Sequence, residues 1–347
     1  MRTDQPSAAE HLADRLALSE RTGDRDELRQ RLARLPPGHP SSPVEADGTP
    51  RLPERGLGAG REAADAADRR PLTDAEHAEH VTQVKERLDK ARADGLATES
   101  RYVTDPDSET WAPERRAGHG AIIADLYAAA DDVPCERRAI LAGGLPGAGK
   151  TTVLEQHAGI DRSQFLVINP DQIKEEMAER GMIPEVAGLT PMEASDLVHE
   201  ESSHIAKQLA LRAMPEEKNV MWDITMSSCE STEKRIDDLR AAGYSRVDGI
   251  FVDIPVDVAI RRSDARHREG HDDYRDGHGL GGRLVPRDIT AAQADPDWGS
   301  CNRRTFEQVK SKLDAWLLCD NSVDGRAPLI VDSGGKVDSG GKEEEQR

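Results

Sequence analysis

Gly144, Gly149, Lys150 and Thr151 fill the pattern G-x-x-x-x-G-K-[ST] within Gly144-Leu145-Pro146-Gly147-Ala148-Gly149-Lys150-Thr151-Thr152. The chemistry that this spacing serves is phosphate binding. Glycines let successive backbone N–H groups converge on phosphate oxygens, the lysine reaches the β/γ oxygens and the threonine hydroxyl ligates Mg²⁺. A helix opening at this point adds the positive end of its dipole. The flanks supply the context the motif needs: Ala139 to Ala142 reads as a buried strand and Thr151 to His157 as a helix. The segment is therefore expected to hold ATP or GTP, with Mg²⁺ on Thr151.

Carboxylates and arginines downstream have the types that phosphoryl transfer uses. An apolar run, Phe165-Leu166-Val167-Ile168, leads into Asn169-Pro170-Asp171, where Pro170 fits a first helical turn. Asp171 is then either a helix cap or a general base facing the phosphate loop; Asn169 already offers a capping side chain, which favours the base. Glu201 falls on the apolar stripe of a helix with Ala194, Leu197, Val198, Ile205 and Leu209, where a carboxylate is costly without a partner. It is expected to contact a ligand, the alternative being a structural ion pair, whereas Glu200 reads as surface. Asp223 and Thr225 follow a third apolar run, Asp223 as a Mg²⁺ partner or a holder of substrate hydroxyls. Asn169, Glu201, Asp223 and Thr225 together form the expected substrate side. Arg262 and Arg266 stand four apart, and Gly281-Gly282-Arg283-Leu284-Val285-Pro286-Arg287 follows a polar loop. Arginine is suited to clamping a phosphoryl group in transfer. His267, His271 and His278 read as polar loop residues without a zinc pattern.

These residues need elements to carry them. Strands are predicted at Phe165–Asn169, Asn219–Thr225, Arg246–Asp253 and Pro328–Val331, and helices at Met192–Met214, Ser231–Ala242, Val256–Arg268 and Arg304–Leu318. Such alternation predicts an α/β fold with a parallel sheet covered by helices. Ligands then sit beyond the carboxyl ends of the strands, where the residues above cluster. Upstream, Thr73-Asp74-Ala75-Glu76 is a capping box for a helix with Ala78, Val81, Val84, Leu88 and Ala91 on one stripe, stopped by Gly95. Tyr102 to Trp111 reads as a loop and Ile122 to Ala130 as a helix.

The 347 residues carry 66 acidic against 47 basic side chains, a net charge of -19, which disfavours nucleic-acid partners. Cys135, Cys229, Cys301 and Cys319 have no C-x-x-C spacing and read as reduced cytosolic thiols. With no apolar run of membrane-spanning length, a cytoplasmic protein without membrane contact is expected. Leu12, Leu16, Leu28, Leu32 and Leu35 predict two short helices, and Pro36 to Pro53 a flexible linker. The resulting division is a flexible, helical leader over 1–70, a helical extension packing on the following domain over 71–133, the α/β phosphate-loop domain over 134–332 and a disordered tail over 333–347.

Taken together, the motifs resemble the zeta-toxin family of P-loop kinases over about Ala139 to Val331. The resemblance rests on the P-loop, Ile168-Asn169-Pro170-Asp171 with Lys174, the Asp-x-Thr of Asp223 to Thr225, the paired arginines, Gly281-Gly282-Arg283-x-Val285-Pro286 and Cys319-Asp320-Asn321-Ser322. It implies a three-layer P-loop kinase fold and ATP-dependent phosphorylation of a hydroxyl on a nucleotide sugar such as UDP-N-acetylglucosamine. It further implies an antitoxin partner. The leader, which the resemblance does not cover, is expected to buttress the sheet, the alternative being a segment that inhibits the cleft in cis on its flexible linker. By position, Asp171 would be the base, Lys150 and Thr151 would serve ATP and Mg²⁺, Arg266 and Arg283 would clamp phosphates with Arg262 on the nucleotide, and Glu201 would contact substrate. Where the family pattern reads Glu-Gly-Thr-x-Arg, this chain has Asp223-Ile224-Thr225-Met226-Ser227. The shortened acid and missing arginine bear on the acceptor, not on the kinase chemistry. An antibiotic- or nucleotide-phosphorylating kinase and an ATP-dependent regulatory switch are the alternatives.

Overall fold

The structure is a computed structural model that describes residues 70–105 and 110–335. The leucine pattern at Leu12 to Leu35, the linker at Pro36 to Pro53 and the tail beyond Gly335 lie outside the described residues. In chain order the elements are α1 (Asp74–Ala93), α2 (Thr98–Tyr102), β1 (Val103–Asp105), β2 (Thr110–Trp111), α3 (Pro113–Ala128), β3 (Arg138–Gly143), α4 (Lys150–Gln156), β4 (Leu166–Ile168) and α5 (Pro170–Glu179). There follow α6 (His199–Ala213), β5 (Val220–Asp223), α7 (Cys229–Ala241), β6 (Arg246–Asp253), α8 (Val256–Arg275), α9 (Arg287–Ala291), β7 (Ala294–Asp295), β8 (Gly299–Ser300), α10 (Cys301–Val309), β9 (Ala315–Asp320) and β10 (Leu329–Gly335).

Six strands form the central sheet in the order β10-β9-β6-β3-β5-β4. Neighbours from β9 to β4 are parallel, and only β10 runs antiparallel. The phosphate-loop strand β3 is central and apolar because helices cover both its faces. Its alternate residues divide between two cores. Ala139 and Leu141 join Ile173 and Met177 of α5, Ile205 and Leu209 of α6 and Phe306 of α10. Ile140 and Ala142 pack with Leu154 of α4 on the opposite face. This is the expected three-layer α/β arrangement.

Four boundaries differ from expectation. The run read as one helix over Arg304–Leu318 breaks: α10 ends at Val309, and Ala315–Asp320 becomes β9, paired in parallel with β6. Asp314 marks the switch, its carboxylate accepting from the Val247 N–H at 2.8 Å and from Arg240 at 2.5 Å. Ser333 to Gly335, assigned to a disordered tail, complete β10. Part of the loop expected at Tyr102 to Trp111 is the β1–β2 hairpin. The helix expected from Ile122 starts a full two turns earlier, at Pro113.

The capping box of α1 is present in both directions between Thr73 and Glu76. Its stripe, however, begins with His77, which is buried, while Ala78 is exposed. Val84, Leu88 and Ala91 pack with Leu197 and Leu284 of the kinase region. Each aliphatic side chain so buried is worth roughly 1.5–3 kcal/mol, so apolar contact fixes α1. Lys85 to Asp288 at 2.7 Å and Arg87 to the Gly188 carbonyl at 2.6 Å add polar contacts at its rim.

Candidate active site

The loop after β3 requires glycine in three places. Gly144, Gly147 and Gly149 have φ of 144, 77 and 77°. A Cβ on Gly144 would meet the Val252 carbonyl at 2.5 Å, and one on Gly149 the Asn321 amide at 2.7 Å. The chain thus folds around Leu145, Pro146 and Ala148 as a backbone cradle, with Lys150, Thr151 and Thr152 opening α4. Lys150 Nζ lies 3.4 Å from the Gly144 carbonyl and 3.4 Å from Asp223 Oδ1. A cation held between the loop and a carboxylate on the adjacent strand fits a polyphosphate with its metal. Thr151 in the first turn of α4 is the hydroxyl available to such a metal.

Parallel pairing brings the carboxylates to the loop. Asp223 ends β5 opposite Ala142 of β3, and Asn169 caps α5 one strand further out. Asn169 Oδ1 accepts from the Asp171 N–H at 2.8 Å, and its Nδ2 donates to Asp223 Oδ2 at 3.2 Å. Asn169 thus positions the two acids, and its second amide N–H is left for the substrate contact expected of it. Capping is its task, which frees Asp171 from that role. On the other side of β3, Asp253 ends β6 but is held by Arg303 at 3.0 Å, which leaves Asp223 as the carboxylate beside Lys150.

Asp171 is ion-paired with Arg283, and Lys174 Nζ stands 3.5 Å from the same oxygen. Burial pushes its carboxyl up, but Arg283, Lys174, Lys150 and Arg266 outweigh burial and hold it below the ordinary aspartate value. Lys174 is itself buried, and burial with help from Arg283 lowers its ammonium despite Asp171. Lys174 entered the sequence reading only as part of a motif; the structure buries it beside Asp171.

The arginines divide the work. Arg283 reaches Asp171, and Arg266 is exposed on α8 within electrostatic range of it. Arg262 turns instead to the nucleotide side: it donates to the Asn321 carbonyl at 2.9 Å and the Gly147 carbonyl at 3.4 Å, and pairs with Asp324 at 2.6 Å. A cavity of about 500 Å³ opens there, lined by Gly147, Gly149, Thr152, Arg262, Asn321 and Asp324 among others. It adjoins the cradle and has room for a nucleoside. Asn321 closes its inner wall, Nδ2 donating to the Ala148 carbonyl at 2.8 Å.

Glu201 is a correction. Its carboxylate is fully buried and accepts from Arg115 Nε at 2.7 Å, Arg115 Nη2 at 2.5 Å and His119 at 2.6 Å. Burial raises its pKa, and the His119 and Arg115 hydrogen bonds more than reverse that. The residue pins α6 to α3; it is the structural ion pair and not the ligand contact. Thr225 sits half-buried in the loop after β5, its hydroxyl 3.3 Å from that of Ser227. The next residue, Met226, is buried with φ 58°, a left-handed conformation that non-glycine residues seldom adopt. The expected reading of His267 and His271 as loop residues also fails, since both lie on α8.

A parallel sheet, a glycine cradle opening a helix and a carboxylate–cation set at the strand ends define a P-loop kinase fold. Residues 131–297 match the family model described as Zeta toxin. Over this region the chain is similar to the zeta-toxin family, a family of kinase-like phosphotransferases. Among solved structures, the AvrRxo1-ORF1:AvrRxo1-ORF2 complex with sulphate ions is 16% identical, with TM-score 0.51 over 68% of this chain and 76% of that one. The same complex with ATP gives TM-score 0.48 at 17% identity, over 64% and 68% of the two chains. The PezAT toxin-antitoxin system of Streptococcus pneumoniae gives 0.42 at 13% identity, over 62% and 81%. At 16% identity the first of these likenesses speaks to the fold alone. No curated protein matches the chain.

Proposed function

We propose that this chain is a kinase of the zeta-toxin type that transfers the γ-phosphate of ATP, or of GTP, to a hydroxyl of a small metabolite. The observation that carries the proposal is the convergence of Lys150, Asp223, Asp171 and Arg283 at the carboxyl ends of β3, β5 and β4. Bound Mg²⁺ would neutralise charge on the triphosphate, with Thr151 and Asp223 as the residues suited to hold it. The chain's own groups supply the rest. The cradle and Lys150 fix the phosphates; Arg262 and the cavity beside it seat the nucleoside. Arg266 and Arg283 face the transferring group, where positive charge offsets charge that develops in transfer. Asp171 takes the proton of the acceptor hydroxyl at its Oδ1 once Arg283 turns from carboxylate to phosphate.

The acceptor we favour is a nucleotide sugar such as UDP-N-acetylglucosamine, and the setting a toxin–antitoxin pair, with inhibition in cis by the N-terminal extension as the other form of control. Within the described residues α1 and α3 pack as braces, and none of their residues lines the cavity beside the loop. Two changes at the acceptor side, Asp223 and Ser227 in place of the family's glutamate and arginine, keep an antibiotic or nucleotide acceptor in the comparison. The deciding experiment incubates the purified chain with γ-labelled ATP, Mg²⁺ and a panel of nucleotide sugars, nucleotides and aminoglycosides. Label on a nucleotide sugar supports the reading; label on another class reassigns the acceptor; no transfer to any of them, with ATP bound, favours a regulatory switch.

A further inference from the structure

Away from the phosphate loop, two helices and one loop bring five ionisable side chains together. α1 contributes His77 and His80, α8 contributes His267 and His271, and the segment before α6 contributes Glu193. Glu193 Oε1 is the focus. His80 Nε2 lies 2.6 Å from it, His267 Nε2 3.1 Å and His271 Nδ1 3.3 Å. Glu193, His267 and His77 are each 1% exposed.

Three imidazole nitrogens around one carboxylate oxygen exceed what hydrogen bonding there explains. His271 Nδ1 is buried and makes no hydrogen bond despite its proximity. His80, Glu193 and His271 offer ligand atoms that all lie within 4.8 Å of one another. The outer contacts already orient the set as a metal would require. The Thr190 N–H donates to Glu193 Oε2 at 2.8 Å, which leaves Oε1 pointing into the cluster. His77 Nε2 is 2.9 Å from His267 Nδ1, so His267 can donate outward from Nδ1 and present the Nε2 lone pair inward.

We propose that His80, His267, His271 and Glu193 form a structural zinc site that fastens the N-terminal helix α1 to the kinase region. Four-coordinate zinc binds imidazole nitrogen and carboxylate oxygen at about 2.0–2.1 Å, which places ligand atoms about 3.3 Å apart in a tetrahedron. The distances of His267 and His271 from Glu193 Oε1 are of this size; His80 needs to move outward by about 0.7 Å from its present contact, and His267, which lies outside the trio already gathered within 4.8 Å, needs to draw in toward the other two histidines. Nitrogen and oxygen donors with no thiolate suit Zn²⁺ rather than a soft-metal cluster, and the low charge of one carboxylate with three imidazoles disfavours Ca²⁺.

The site has a bearing on the phosphate clamp. A Cβ on Gly282 would lie 2.1 Å from the His267 carbonyl, and one on Gly281 2.1 Å from the Thr190 hydroxyl. The glycine pair thus rests on the backbone that carries the cluster, and Arg283, the partner of Asp171, is the next residue. Zinc would hold α8 and the Thr190 to Glu193 turn at fixed distance, and through them the base of Arg283. This inference does not depend on the kinase reading.

The test uses the full chain, stripped with a chelator and titrated with Co²⁺ as a spectroscopic stand-in for Zn²⁺. One equivalent should give the intense visible absorption of tetrahedral cobalt, displaced by Zn²⁺, and zinc should raise the melting temperature. The double variant H80Q/H271Q should lose both responses, while C229S and C301S, which remove the partly buried thiols, should keep them. Should the double variant fail to fold, H77Q serves: loss of an outer-shell partner should weaken zinc binding about 10–100-fold with the cobalt spectrum retained. Absence of stoichiometric tetrahedral cobalt in the unaltered chain, or its persistence in a folded H80Q/H271Q, would overturn the proposal and leave a hydrogen-bonded histidine–glutamate cluster.

Discussion

Arg283 forms its ion pair with Asp171, the carboxylate beside which it is proposed to bind phosphate. The pair keeps Asp171 ionised but blunts its basicity, because a lowered pKa makes a weaker proton acceptor. Substrate phosphates would compete for the guanidinium and so release the base only when there is something to transfer. The free enzyme's Asp171 therefore sets an acid limb of kcat/KM below the ordinary carboxylate range. In Arg283→Gln the largest of the opposing charges is gone while Lys174, Lys150 and Arg266 remain, so the limb should move to higher pH, by about 1 unit. The conservative Arg283→Lys should restore most of the shift. A pH profile of the variant that superimposes on the wild type would show that the pair does not govern Asp171.

Asp171→Asn tests the base itself. Because Asn169 caps α5, the variant should keep its melting temperature and its affinity for ATP while transfer falls by at least ~100-fold. Transfer within a few-fold of wild type would reduce Asp171 to a helix-entry residue. Lys150→Ala should also abolish transfer, but with weakened ATP binding, since its charge serves the phosphates; unchanged turnover in that variant would remove the loop from the mechanism.

Asn321 gives a prediction on the nucleotide side. Its amide ties β9's exit to Ala148 in the cradle, and its carbonyl is held by Arg262. A neutral hydrogen bond of this kind is worth about 0.5–1.5 kcal/mol. Asn321→Ala should thus raise the KM for ATP about 2–10-fold with kcat little changed, measured at saturating acceptor. A fall in kcat with KM unaltered would place Asn321 outside nucleotide binding.

How much of this could be read from the chain depends on how local the chemistry is. The phosphate loop was legible because its glycines, Lys150 and Thr151 lie within eight residues and their conformations are set by those same residues. Asp171 was legible because Asn169 and Pro170 declare a helix start. Glu201 was recognised as a buried carboxylate, but its partner Arg115 lies 86 residues away, and no periodicity names it. The strand β9 is hidden in a helical pattern because a short apolar run fits either element, and the arbiter is Asp314 bonding to Val247 of a distant strand. The histidines divide the same way. His267 and His271 are one helical turn apart, a spacing that could have been read, whereas Glu193 and α1 come together only in the tertiary fold.

The Glu201 pairing separates a structural acid from a substrate contact in one experiment. A buried ion pair that loses one member leaves the other uncompensated, at a cost of about 3–5 kcal/mol. Arg115→Met should therefore destabilise the protein strongly, and Glu201→Gln should do so less, because the amide oxygen still accepts one hydrogen bond from Arg115 and the charge left unpaired, the guanidinium, is 11% exposed whereas the Glu201 carboxylate is 0% exposed. The folded-state pKa of Glu201 is lowered, so its stabilisation is present above the unfolded value and is lost as pH falls through the folded one. Acid unfolding of the wild type should accordingly steepen below about pH 4.3, the reference value for glutamate, and flatten in Glu201→Gln. Both variants, assayed at a temperature where they are folded, should keep the wild-type KM for the acceptor. A raised acceptor KM in Glu201→Gln at unchanged melting temperature would reverse the assignment and return Glu201 to the substrate pocket.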